Sequence, residues 1–265
     1  VYAFTSEAPD SYAKKDSKFG DIMMKPYKLL NIFSSRMSAV EFLYAANVMV
    51  DISTSRYSYC RLFAMGGTPL NEAVISAMKI VPEFQKKYKL QVVNTVFLTD
   101  GEGHRLSSVY DSYETQMEWR SGAAKTLIIR DPVTKHQEIV EDWSCQKNTA
   151  AYIKLLKART NCNILGFYVL SGREFSRAAY ILLPRAANVE TLRVKFRKEK
   201  SMVITNAGFD EYYLLRSEGL DVDDEAEFVV KDNATTRGLV SAFSKYTKNR
   251  LSNRVVLNRF IGMIA

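Results

Sequence analysis

Two short segments of this sequence carry residue types that could do chemistry. The first is Gly66-Gly67-Thr68-Pro69-Leu70, a glycine turn that would present a hydroxyl at a helix start. The second is Thr99-Asp100-Gly101-Glu102, which sets a carboxylate at the end of a strongly apolar run. A hard cation such as Mg²⁺ takes oxygen ligands and keeps several waters, so one hydroxyl and one carboxylate make half a site for it. A plainer reading rests on the same residues: Thr68 as no more than a helix N-cap, and Asp100 as a residue that orders a turn with Gly101. Glu102 and His104 follow Asp100, but a general base needs a partner and a positioned substrate. No nucleophile elbow, HExxH or Gly-rich phosphate loop is present. These two residues read as solvated loop positions, and no catalytic residue is assigned.

The cysteines, Cys60, Cys145 and Cys162, are widely spaced, and the histidines are His104 and His136 alone. No pair has CxxC spacing, which argues against a zinc site and for a reducing, cytoplasmic compartment. The thiols read as small apolar residues.

Several elements are legible around these segments. A helix is expected from Thr68, with Thr68 as N-cap and Pro69 at its first position, where a missing N–H costs nothing. Leu70, Ala73, Val74, Ala77, Met78, Val81 and Phe84 give it one apolar stripe. Residues 91–100 read as a strand apolar enough for a parallel sheet covered on both faces, and Asn163 to Leu170 as a second, preceded by a helix near Thr149 to Ala158. Val1 to Ser6 reads as an earlier strand. Strand and helix alternate, which argues for right-handed βαβ units rather than a bundle or sandwich. Both chemistry-bearing segments would then open on the carboxyl edge of the sheet, where ligands bind in open α/β folds. They stand 32 positions apart, with one helix and one strand between.

Residues 126–140 read as a hairpin turning at Asp131-Pro132, inserted between main elements. Residues 202–216 give a second strand pair around Asn206-Ala207-Gly208. Residues 37–50 read as helical, Asp221 to Glu227 as an acidic loop, and 239–264 as C-terminal helices. With no repeat or linker, residues 1–265 read as a single domain of ordinary globular composition, 47% hydrophobic and 25% charged. No run is long and apolar enough to span a bilayer, so no membrane partner is expected.

Gly-Gly-Thr-Pro-Leu, a helix, and an apolar strand ending Thr-Asp-Gly together resemble the second and third motifs of the metal-ion-dependent adhesion site (MIDAS) of von Willebrand factor A (VWA) domains. The flavour is that of the magnesium- and cobalt-chelatase subunits and of similar proteins in large tailed bacteriophages. The resemblance covers roughly Val1 to Leu170. It implies a doubly wound, Rossmann-like α/β fold with a mostly parallel sheet flanked by helices. It also implies Thr68 and Asp100 as ligands of Mg²⁺ or Mn²⁺.

The family's first motif is Asp-x-Ser-x-Ser, and Asp51, Ser53 and Ser55 match it in type. Only 17 positions separate Asp51 from Thr68, too few for the helix, strand and helix that should intervene. A polar helix end running into a Ser/Tyr-rich loop is the alternative reading of Asp51-Ile-Ser-Thr-Ser55. On the resemblance, Val1 to Ser6 is the family's second strand, and the first strand and its motif are expected upstream of Val1. A site lacking that motif would bind metal weakly or not at all.

Three functions follow. The resemblance implies a metal-dependent protein–protein interaction module, an adaptor for a AAA+ ATPase of the MoxR or chelatase type. It also admits a metal-chelatase subunit or hydrolase. The net charge of +8 allows a phage structural or nucleic-acid-associated protein, or binding to an acidic surface. The basic residues are scattered. Their densest group, Arg193, Lys195, Arg197, Lys198 and Lys200, is interrupted by Val194 and Phe196 and reads as a solvated helix face rather than a nucleic-acid groove.

Overall fold

The computed structural model describes residues 1–6, 18, 20–22, 24–54, 63–99, 101–103, 106, 108–110, 116–118, 127–140, 145–183, 187–204 and 207–217. Ser55, Cys60, Asp100, His104 and the segments expected as an acidic loop (221–227) and C-terminal helices (239–264) lie outside them. In chain order the elements are β1 (Tyr2–Thr5), β2 (Lys28–Asn31), α1 (Ala39–Ser53), α2 (Leu70–Tyr88), β3 (Asn94–Thr99), β4 (Ser108–Tyr110), β5 (Gln116–Glu118), β6 (Leu127–Arg130), β7 (Gln137–Val140), α3 (Cys145–Thr160), β8 (Asn163–Leu170), α4 (Phe175–Leu182), α5 (Val189–Glu199), β9 (Ser201–Ile204) and β10 (Glu211–Arg216). Among the described residues no helix is long and apolar enough to cross a membrane.

Contacts divide the chain into two units. The first comprises Val1–Thr95, Thr99–Ile164 and Asn206–Asp210; the second comprises Val96–Leu98, Leu165–Thr205 and Glu211–Ala265.

In the first unit α2 packs against α3. The stripe expected from its sequence is the one it buries: Leu70, Ala73, Val74, Ala77, Met78 and Val81, while Phe84 stays exposed. Pro82 sits inside this helix and removes the N–H that would have bonded Met78 O. Arg159 Nη1 of α3 donates to that carbonyl instead, at 3.4 Å. Arg159 also binds the β6–β7 hairpin to α3. Its Nε donates to Asp131 Oδ2 at 3.0 Å, and its Nη2 pairs with Oδ1 of the same carboxylate. Asp131 is buried and orders its own turn by accepting from Val133 N (3.0 Å), Thr134 N (3.3 Å) and Thr134 Oγ1 (2.7 Å). The Arg159 guanidinium holds the Asp131 carboxyl well below the ordinary carboxylate range, against the upward push of burial.

Val1 to Ser6 departs from expectation. β1 pairs antiparallel with β2, Tyr2 opposite Asn31 and Thr5 opposite Lys28, in a two-stranded ribbon separate from the four-stranded sheet. The ribbon positions the glycine turn. Thr5 Oγ1 donates to Gly66 O (3.0 Å) and accepts from Gly66 N (2.8 Å), and Ser6 N donates to Gly66 O (2.8 Å).

The second unit holds most of a mostly parallel four-stranded sheet of order β3-β8-β10-β9, flanked by helices. β10 runs parallel to β8, Glu211 opposite Leu165, and antiparallel to β9, Tyr212 opposite Ile204. Leu165, Phe167, Tyr213 and Leu215 form its core, with Val169 and Val203 against them. The rings of Phe167 and Tyr213 stack at 4.9 Å between centroids, and those of Phe175 in α4 and Phe196 in α5 at 4.5 Å. Asn188 caps α5 by accepting from Thr191 N at 3.1 Å, and all the basic residues of that helix except half-buried Arg193 are exposed. This is the solvated helix that the sequence suggested. β3 differs from its reading: Phe97 and Thr99 are buried while Val96 and Leu98 are exposed, so this edge strand covers one face, not two.

Candidate functional site

Thr68 does not cap its helix. The N-cap of α2 is Pro69 (φ −77°, ψ 56°), without a side-chain hydrogen bond, and Leu70 N donates to Thr68 O at 2.8 Å. These angles and this i→i+2 bond are those of an inverse γ-turn. Proline's ring sets the φ, and no Thr68 side-chain hydrogen bond to the helix N–H groups is made. Gly67 before it holds φ 64°, a left-handed conformation that glycine adopts without steric cost.

The hydroxyl goes instead to the second motif. A Cβ built on Gly101 would stand 2.7 Å from Thr68 Oγ1, inside van der Waals contact, so any side chain at 101 would require the Thr68 hydroxyl to shift. Thr99 fixes the other side of the turn. Its Oγ1 donates to Gly101 O at 2.8 Å and accepts from Gly101 N at 3.1 Å. The two segments chosen for their chemistry are thus adjacent through Thr68 and Gly101, the residue after Asp100.

The Asp51 alternative falls in a different kind of element. Asp51 and Ser53 occupy the last turn of α1, where Ser53 Oγ donates to Val50 O at 2.7 Å. The run is helical there, as in the reading of a polar helix end, and not the loop after a strand that the family's first motif would need. Half-buried Glu102 follows Gly101.

A polar cluster beneath the turn was not visible in the sequence. Gly103 is buried against the starts of two helices, its Cβ position 3.1 Å from Leu70 Cβ, 3.2 Å from Thr149 Oγ1 and 3.6 Å from Asn71 Oδ1. Asn71 Nδ2 donates to Asn148 Oδ1 at 3.1 Å, and Leu106 N donates to the same oxygen at 3.3 Å. Asn71, Glu72, Asn148 and Tyr152 are all essentially inaccessible. Burial pushes the Tyr152 hydroxyl well above the ordinary tyrosine value, and the Glu72 carboxylate adds to the rise. Burial likewise raises Tyr27, which pairs with Ser76 Oγ and donates to Glu72 O at 3.3 Å. Asn148 Nδ2 and Tyr152 Oη have no hydrogen-bond partner among the described residues. Asn148 and Tyr152 lie four positions apart on one face of α3, which is the one sequence signal that could have flagged them.

Among the described residues no three of His, Cys, Asp and Glu converge to hold a metal. Comparison with family models, with curated proteins and with solved structures gave no match.

Proposed function

We propose that this chain is a metal-ion-dependent protein-interaction module of the von Willebrand A type, on a doubly wound α/β fold, in which Thr68 and Asp100 contribute to a Mg²⁺ or Mn²⁺ site. The observation that carries the reading is the contact of Thr68 Oγ1 with Gly101 across 33 positions of sequence. The inverse γ-turn at Pro69 leaves the hydroxyl out of helix capping, and Gly101, the residue after Asp100 in sequence, admits it. Oxygen-only donors of this kind fit a hard divalent cation, which would supply a Lewis-acid position for an acidic side chain of a partner. Thr68 would hold and orient its oxygen, and Thr99 would keep Gly101 in place through its two hydrogen bonds.

The partner class proposed is a AAA+ ATPase of the MoxR or chelatase type, with the present chain as adaptor. The test is co-purification of the chain with the MoxR-type ATPase of its own genome, in Mg²⁺ and in EDTA. Association in Mg²⁺ that disappears in EDTA, and in the Thr68→Ala, Asp100→Ala double variant, is the expected result. Binding that survives both treatments would sink the proposal.

A further inference from the structure

Basic residues occur along the whole chain, but the excess of positive charge is concentrated. Residues 171–204 carry eight Lys and Arg against three Glu, a net +5 of the chain's +8. This stretch holds α4, α5 and β9, all in the second unit. The two helices are in contact, with the Phe175 ring of α4 stacked on Phe196 of α5. Both rings are buried, so the apolar sides of the helices are used in packing and the charge is left outside.

On α4 that outer stripe has a definite composition. Glu174, which precedes the helix, already has helical angles, so Arg173, Arg177 and Tyr180 recur at i, i+4 and i+7 on one side. Phe175, Ala178 and Ala179 are buried on the other. Both arginines are exposed, and Tyr180 is 81% exposed. The arginines flank the N-terminal end of α4, where the helix dipole disfavours a cation, so helix stability does not account for them. On α5, Val194, Lys195, Arg197 and Lys198 are exposed around buried Phe196. Arg216 of β10 reaches the end of the same helix, where its Nη1 donates to Arg197 O at 3.3 Å. Of the described cations in 171–204 only Arg193 is ion-paired, to Glu190 at 3.6 Å.

Unpaired cations beside a bare aromatic ring are the two parts of a single-strand binding surface: phosphates meet the cations and an unstacked base lies on the ring. A neighbouring guanidinium adds a cation–π contribution. A duplex keeps its bases stacked on each other and leaves the ring unused. An acidic protein surface would answer the charges and not the ring. We infer that the outer surfaces of α4 and α5 bind single-stranded nucleic acid, with phosphates on Arg173, Arg177, Lys195 and Lys198 and a base stacked on Tyr180. Neither Thr68 nor Asp100 takes part, so the outcome is independent of the metal site.

The test is fluorescence anisotropy of labelled oligothymidine and oligouridine of roughly 20 nucleotides, longer than one such site, titrated with the 265-residue chain. The expected result is binding to at least one of them at about 50 mM salt, with log affinity falling linearly as log salt rises. Arg177→Glu, Lys198→Glu should weaken it at least about tenfold and flatten the slope by about 1.4, at about 0.7 per phosphate. Tyr180→Ala should weaken it about tenfold with the slope unchanged, since stacking releases no counterion. Lys86→Glu, Lys87→Glu makes the same change of net charge at exposed positions of the first unit and should leave the affinity within about threefold. All the substituted side chains are exposed, so the melting of each variant should match the wild type. Absence of binding at about 50 mM salt, equal losses in the two charge-reversed variants, or full affinity in Tyr180→Ala would each overturn the inference. So would competition by polyglutamate or by a duplex that equals competition by the unlabelled single strand.

Discussion

Thr68 and Gly101 touch because the second has no side chain. The Thr68 hydroxyl makes no hydrogen bond to the helix end, and the missing Cβ at 101 leaves the space beside it. Gly101→Ala should therefore overpack the contact and cost about 1–3 kcal/mol. Adding Thr68→Ala removes the clashing Oγ1 and should return most of that loss, since the next nearest Thr68 atom stands 3.7 Å away. A double-mutant cycle on urea melts measures the coupling; additive losses would show that the two residues do not meet.

Tyr152 carries the opposite sign. Its hydroxyl is buried without a partner among the described residues, so Tyr152→Phe should leave stability unchanged or raise it by up to about 1 kcal/mol. A loss larger than that would reveal a bond to the hydroxyl. Type and spacing were enough to single out Thr68 and Asp100 from the sequence. The Thr68 cap was misread because a threonine before proline at a helix start looks the same whether its hydroxyl bonds the helix or turns away. Asn148 and Tyr152 stayed hidden because polar residues four apart on a helix describe a solvated face equally well.

Among the elements, the β6–β7 hairpin depends on one buried ion pair. Asp131 gathers two backbone N–H groups, one hydroxyl and the Arg159 guanidinium. Asp131→Asn should cost about 2–3 kcal/mol, somewhat less than a fully sealed pair because Arg159 keeps some exposure. The folded carboxyl titrates below its unfolded value. Its contribution is therefore complete above the ordinary aspartate value of about 3.9 and is lost as pH falls below that toward the folded value. Urea melts from about pH 5 downward should show that loss in the wild type. The same component should be missing from Asp131→Asn, and equal acid sensitivity in both would refute the assignment.

Helices and strands with a strong period were readable: the α2 stripe, β8 from Asn163 to Leu170, the Asp131 hairpin and the β9–β10 pair all fall where their patterns put them. The β1–β2 ribbon was not. Its second strand is the four-residue run Lys28–Asn31, too short to carry a period, and the choice of antiparallel partner is made by contacts some 26 positions away. β3 read as doubly covered because its apolar run does not reveal that it lies at a sheet edge.

At the scale of the whole molecule, each unit has its own packing. The first is organised around the α2–α3 pair, and the second around the stacked aromatics on its sheet and helices. Thr68, Gly101 and the buried Asn71–Asn148 pair all belong to the first unit. The metal site proposed there can thus be tested without reference to the second.

The most direct measurement is a Mn²⁺ titration of the 265-residue chain followed by electron paramagnetic resonance, which counts free ion and so reads weak binding. The expected result is one Mn²⁺ site, displaced by Mg²⁺, that Thr68→Ala and Asp100→Asn each abolish while Asp51→Ala and Ser53→Ala leave it intact. Mn²⁺ binding that Thr68→Ala and Asp100→Asn leave unchanged, or that Asp51→Ala and Ser53→Ala abolish instead, would contradict the assignment of a metal-dependent site to Thr68 and Asp100.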